Sequence, residues 1–150
     1  MMAIINIRPA QPADIPALVH VERDSHNPWG AAQLKAELTL PHARLLAAEW
    51  DGEVAGLCDL HIVAGTAHIN ELCVAETMRR RGIARALVAE ATRLAARAAC
   101  DSVTLEVREQ GAAARQLYEK LGFIAVGRRA RFYQNPEDDA LIMRKEIPKP

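Results

Sequence analysis

The stretch Glu71-Leu72-Cys73-Val74-Ala75-Glu76-Thr77-Met78-Arg79-Arg80-Arg81-Gly82-Ile83-Ala84-Arg85 decides how the rest of the chain is read. It begins as the end of a strand-like run, Ala67 to Val74, crosses an arginine cluster and enters a run of good helix formers. A strand, a basic turn and a helix starting around Gly82 make a place where main-chain N–H groups and the helix dipole favour a phosphate. The missing side chain of Gly82 lets an anion approach the main chain, Ala84 keeps that approach uncrowded, and Arg85 adds charge. Basic residues are unfavourable at a helix N-terminus unless an anion is present, which weighs against a merely solvated helix start. The spacing is neither G-x-x-x-x-G-K-[ST] nor G-x-G-x-x-G, so a nucleoside triphosphate loop and a dinucleotide fingerprint are both excluded.

Working outward from this turn, Ile83 to Ala99 predicts the longest helix, with Ile83, Leu87, Leu94 and Ala98 on one stripe. Val103, Leu105 and Val107 alternate with Thr104, Glu106 and Arg108, a strand with Glu106 off its apolar face. Ala112 to Leu121 predicts a second helix, closed by Gly122 in a left-handed conformation. Phe123 to Gly127 and Ala140 to Arg144 read as two last strands. Upstream, Ile4 to Arg8 reads as a strand, and a helix capped by Asp14 is expected to stop near Asp24. Ser25 to Gly30 (SHNPWG) has loop chemistry, and Ala31 to Leu40 predicts a short helix ended by Pro41. Asp51-Gly52 between Arg44 to Trp50 and Glu53 to Val63 signals a hairpin. The order is β, α, α, three β, α, β, α, two β, in one domain over residues 1–150, with a Pro-Lys-Pro tail expected to fray.

Composition fits this reading. The chain has 150 residues, half of them hydrophobic and only 4% aromatic, enough for one core filled by aliphatic side chains. Nineteen basic residues balance nineteen acidic ones, so nothing in the net field asks for a polyanion. Cys58, Cys73 and Cys100 form no C-x-x-C pair, and no histidine has metal-ligand spacing with another His or Cys, so no metal is expected. With no leader-like N-terminus and no long apolar run, a cytoplasmic, non-membrane protein is expected.

The chain resembles the GCN5-related N-acetyltransferase (GNAT) superfamily, whose pyrophosphate loop [QR]-x-x-G-x-[GA] is matched by Arg79, Gly82 and Ala84. The likeness extends over nearly the whole chain through "ELCV", "LEVR" and "LYEKLGF", and is nearest the ribosomal-protein-alanine N-acetyltransferases. It implies an α/β fold with a mixed, mostly antiparallel sheet of about seven strands, splayed between the fourth and fifth and flanked by four helices. It implies acetyl-CoA as cosubstrate, bound by the main chain of Leu72, Cys73 and Val74 and by Arg79, Arg80, Arg81, Gly82, Ile83, Ala84 and Arg85, with Tyr118 bordering it. In many relatives an Asn at the start of the late helix helps hold the coenzyme; here Gly111 stands in its place.

Acetyl transfer to an amine needs a neutral nucleophile, a polarised thioester carbonyl and a proton donor for the departing sulfur. Tyr118 is the candidate acid. Glu106, a carboxylate in an apolar strand whose desolvation is expected to raise its pKa, is the candidate base, as the resemblance also implies; Glu71 is its rival. His61 and His68 read as structural. An α-amine titrating near ~8 is about one-tenth neutral at pH 7, far more than a lysine near ~10.4, so a modest base serves a protein N-terminus. Trp29 in the "PWG" loop, Glu71, and Arg131, Phe132 and Tyr133 are expected to border the acceptor cleft. Three alternatives stay open: a small amine or lysine as acceptor, a non-catalytic acyl-CoA-binding module, and a nucleic-acid patch at Arg79 to Arg85, the last disfavoured by neutral charge and scarce aromatics. Monomer and homodimer fit equally.

Overall fold

A computed structural model describes residues 2–148 as one seven-stranded sheet with two helices on each face. The elements are β1 (Ile5–Pro9), α1 (Ile15–Glu22), α2 (Ala31–Thr39), β2 (Ala43–Trp50), β3 (Glu53–Val63), β4 (Thr66–Val74), α3 (Ile83–Arg97), β5 (Ser102–Arg108), α4 (Ala112–Lys120), β6 (Ile124–Tyr133) and β7 (Asp138–Glu146), with 3₁₀ turns at Pro12–Asp14 and Glu76–Met78. Strands lie in the order β1-β2-β3-β4-β5-β7-β6, antiparallel except for β4 and β5. The sheet expected from the sequence is therefore present, and Lys149 and Pro150 of the tail expected to fray lie outside the described residues.

Two cores follow from strand alternation. Leu46, Cys58, Leu60, Ala67, Ile69, Val103, Leu105 and Val107 face α3 and α4, which contribute Ile83, Leu87, Val88, Ala91, Ala95, Leu117 and Tyr118. Leu45, Ala47, Leu57 and Cys73 face the other way, against Ile15, Leu18 and Val21 of α1 and Leu34 of α2. Each fully buried Leu in these layers contributes roughly 1.5–3 kcal/mol.

The site depends on how β4 leaves β5. Their parallel pairing spans only Ala67–Ile69 against Val103–Leu105; beyond it β4 pairs with β3 alone and β5 with β7 alone. At the same point β4 bulges: Leu60 pairs with Ile69 but Asp59 with Glu71, so Asn70 is an extra residue. A bulge bends its strand and shifts the side-chain phase by one. Before it Ile69 faces the α3 core; after it Cys73 faces the α1 core and carries Glu71 with it to that side.

Several boundaries differ from the sequence reading. The last hairpin is longer than Phe123–Gly127 and Ala140–Arg144, because its polar residues pair at the sheet's exposed edge, where apolar alternation is not required. The buried stripe of α3 runs through Ile83, Leu87, Val88, Ala91 and Ala95, whereas Ala98 is exposed, lying beyond the helix end at Arg97. α1 stops at Glu22, short of Asp24. Asp14 stands at its N-cap but makes no side-chain cap; its carboxylate takes the Arg8 guanidinium in a bidentate pair at 2.7 and 2.8 Å instead.

Candidate active site

On the α3 side of the sheet, the turn from Arg79 to Gly82 delivers the chain into α3 through two left-handed residues, Arg80 at φ 64° and Gly82 at φ 85°. Glycine at the second position removes the steric cost that an L side chain bears there. A Cβ built on Gly82 meets nothing within 4 Å, so the space above its main chain is open. α3 has neither a side-chain cap nor an acidic residue in its first turn, and the first turn of a helix has no intrahelical partner for its N–H groups. The amides of Ile83, Ala84 and Arg85 are thus placed to receive an anion. Arg81 lies over the Trp50 ring at 5.1 Å, and the Arg79 Nε donates to the Val74 carbonyl at 3.3 Å. Both arginines brace the turn while keeping positive charge beside it.

On the opposite face the parting of β4 and β5 opens into a cleft of about 570 Å³. Glu71 and Asn70 line it from β4, Glu106 and Arg108 from β5, Phe132 and Tyr133 from β6, Glu37 from α2, and Trp29 from the loop before α2. Five of the residues singled out from sequence (Trp29, Glu71, Glu106, Phe132 and Tyr133) therefore meet in one place. Arg131 does not join them: its side chain is 83% exposed and pairs with Glu137 at 3.4 Å. Arg108 stacks on the Tyr133 ring at 4.5 Å and donates to the carbonyls of Gln134 and Pro136, fixing the end of the last hairpin against the cleft.

Glu71 is strongly desolvated in this cleft. Burial, the nearby Glu22 carboxylate and a hydrogen bond with it push Glu71 up to about 9, so this carboxyl keeps its proton at neutrality. Glu106 is partly solvated and forms an ion pair with Arg129 at 3.7 Å. Tyr118 packs from α4 against the α3-side core, edge-on to Phe123 at 5.9 Å and not among the residues that line the cleft, and burial raises its phenol far above the ordinary value, which keeps it protonated. Gly111 sits at the N-cap of α4, where an added Cβ would stand 3.2 Å from the Arg108 carbonyl. An Asn there requires the Arg108 carbonyl to give way by a few tenths of an ångström.

Sequence reasoning missed three buried acids. Glu22, fully buried, accepts the Trp29 N–H at 2.9 Å and the Ser25 hydroxyl at 3.3 Å, and so pins the "PWG" loop to α1. Asp59 is fully buried and Glu37 nearly so, and the two converge on His61. Burial and the adjoining Glu37 carboxylate raise Asp59 to about 9; at Glu37 burial pulls upward, but hydrogen bonds with Asp59 and His61 prevail and lower it. The signal used for Glu106, one carboxylate inside an apolar strand, was equally present at Asp59 in "GLCDLHIV".

The sheet thus opens between its parallel strands, with an uncapped, arginine-flanked helix start on one face and a carboxylate-lined cleft on the other. Residues 15–123 match the acetyltransferase (GNAT) family, and the chain belongs to it. It is 31% identical over 128 residues to an N-alpha-acetyltransferase RimI of Mycobacterium tuberculosis, covering 83% of this chain and 79% of that protein. It is 28% identical over 137 residues to the ribosomal protein bS18-alanine N-acetyltransferase of Escherichia coli K12, covering 89% and 92%. The crystal structure of the E. coli ribosomal-protein-S18-alanine N-acetyltransferase superposes with a TM-score of 0.88 at 25% identity, over 98% of this chain and 96% of that one. The chain is an N-acetyltransferase. Among the described residues no helix is long and apolar enough to cross a membrane.

Proposed function

We propose that this enzyme transfers acetyl from acetyl-CoA to the N-terminal α-amine of a protein, by direct attack of the amine. The observation that carries the reading is the position of Glu106 on β5, one residue past the last β4–β5 pair and lining the acceptor cleft, with the arginine-flanked start of α3 on the other face. The turn suits a diphosphate: its amides are uncapped, its glycine is open above the main chain, and arginines flank it. The β4 edge from Asn70 to Val74 opposite β3 has no strand beside it, and the main-chain groups of Leu72 and Val74 point out along it, where a pantetheine arm would run, the Val74 carbonyl also accepting from Arg79 Nε while Cys73 pairs toward β3. When bound there, acetyl-CoA supplies the activated acyl group.

Every other step falls to the chain. Glu106 takes the proton from the incoming amine, directly or through one water, and Tyr118 gives its phenolic proton to the departing sulfur. Glu71, which burial and the Glu22 carboxylate push toward its protonated form, lines the acceptor cleft beside Glu106 and is the rival for the role of base. Trp29 and Tyr133 form apolar walls for the first side chains of a peptide. Relatives named for acetylating the alanine terminus of a ribosomal protein support this acceptor class.

The test is to incubate the purified protein with acetyl-CoA and three sets of acceptors: peptides with free N-termini, lysine peptides with blocked N-termini, and small amines. Acetylation of the first set is expected. Turnover confined to either of the other two would replace this reading, and turnover of none would reduce the chain to an acyl-CoA-binding module.

A further inference from the structure

Beside the acceptor cleft, three side chains from two elements converge on one point. Asp59 and His61 lie two residues apart on β3 and so face the same way, toward α2, which supplies Glu37. One ligand atom from each lies within 4.8 Å of the others. His61 Nε2 is 2.7 Å from Glu37 Oε1 and 3.2 Å from Asp59 Oδ2. A neutral or charged imidazole has at most one hydrogen on Nε2, and the shorter contact claims it for Glu37. Asp59 is then left fully buried with no neighbouring donor for either carboxylate oxygen, and its approach to Glu37 sets two carboxyl groups together that need a shared proton or a cation between them. A buried carboxylate in that condition is costly unless a proton or a cation joins it.

We infer that Glu37, Asp59 and His61 form a binding site for a divalent transition metal of the zinc class. One imidazole and two carboxylates are a donor set suited to Zn²⁺ and its first-row neighbours rather than to thiophilic ions. Ligand distances near ~2 Å in a tetrahedron place neighbouring ligand atoms about 3.4 Å apart, close to the spacing already present. The Asn70 side-chain amide lies against the His61 ring, 2.7 Å from Nδ1, and His42 is edge-on to it at 4.8 Å; with a metal on Nε2 the ring proton is on Nδ1 and the amide turns its oxygen to accept it. Sequence spacing could not show the set, because Glu37 is separated from the other two by a strand and a turn. Glu37 and Asn70 both line the acceptor cleft, so a cation here ties α2 to β3 and stiffens the cleft wall without entering the acetyl-transfer chemistry. The inference stands apart from the proposed acceptor and survives its failure.

The experiment titrates Zn²⁺ into protein stripped with a chelator, by calorimetry and by thermal unfolding, and repeats it with Asp59→Asn and His61→Gln. One saturable Zn²⁺ per chain and a higher Tm are expected, with affinity reduced at least 100-fold in either variant while acetyl-CoA binding is unchanged, which shows that the variants fold. Co²⁺ in the wild-type protein gives an independent reading: visible ligand-field bands of a low-coordinate nitrogen-and-oxygen site, displaced by Zn²⁺. Absence of saturable binding means that only a proton joins the three side chains and overturns the inference. Binding that persists unweakened in both variants overturns it equally, by placing the metal elsewhere.

Discussion

At the scale of single residues, the proton-transfer roles proposed for Glu106 and Tyr118, and the rival claim of Glu71, can be told apart by substitution. Glu106→Gln is expected to lower kcat/KM by about 10²–10⁴-fold and to flatten the acidic limb of its pH profile; if Glu71→Gln does this and Glu106→Gln does not, the base is Glu71. Tyr118→Phe, which keeps the packing on Phe123 but removes the phenolic proton, should lower kcat by about 10²-fold and leave the dissociation constant of acetyl-CoA nearly unchanged. Wild-type turnover in that variant would take Tyr118 out of the reaction. Glu71 also makes a stability statement. Its carboxyl titrates near ~4.3 in the unfolded chain and at about 9 in the folded one. Below the first value both states are protonated and nothing is lost. As pH rises between the two, the unfolded state ionises while the folded state holds its proton, so stability falls until the pH passes the folded value. Glu71→Gln, a permanently neutral mimic, escapes that loss. Its Tm relative to wild type should therefore improve from pH 5 to pH 8, and a difference that stays flat or shrinks would show that Glu71 ionises freely in the fold.

At the scale of elements, the start of α3 is where local sequence and local structure agree best. The arginines, the glycine and the helix formers lie within one short stretch, so their consequence could be read without knowing any distant contact. Gly82 carries this most directly. Its φ of 85° means that Gly82→Ala should cost roughly 1–2 kcal/mol of stability, seen in denaturant unfolding, and should weaken acetyl-CoA by more than that, because the new methyl occupies the open space above the amides. Equal coenzyme affinity in the variant would remove this turn from the binding site. The bulge at Asn70 is the opposite case. Nothing in "HINELCV" marks an extra residue; it appears only once β3 imposes its own register on β4, and it is what sends Glu71 to the cleft face. The long final hairpin was likewise hidden, since an exposed edge pair imposes no apolar alternation, and with it went the placing of Arg131 in solvent beside a cleft that Tyr133 lines.

At the scale of the whole molecule, the order of strands and helices was legible because each depends on its own periodicity, whereas the buried acids were not, because Glu22, Glu37 and Asp59 acquire their character from packing between α1, α2 and the sheet. The same packing sets the arginine-flanked helix start and the carboxylate-lined cleft on opposite faces of the sheet, which has a gap where β4 and β5 part beyond their short pairing of Ala67–Ile69 with Val103–Leu105. A ligand that fills that gap links the β1-to-β4 half of the sheet to the β5-to-β7 half, and binds only when both are folded around it. By mass action, acetyl-CoA at ~100 times its dissociation constant should add about 2.7 kcal/mol to the folded state. For a chain of this size that corresponds to a rise in Tm of about 5–10 °C, measurable by differential scanning calorimetry. Desulfo-coenzyme A, which keeps the diphosphate and most of the arm, should retain most of the rise, and inorganic pyrophosphate alone should give a smaller one, because it engages the start of α3 without bridging the parted strands. A full rise with pyrophosphate alone would mean that the halves of the sheet are already coupled without the arm, and that the opening between β4 and β5 is not the coenzyme's path.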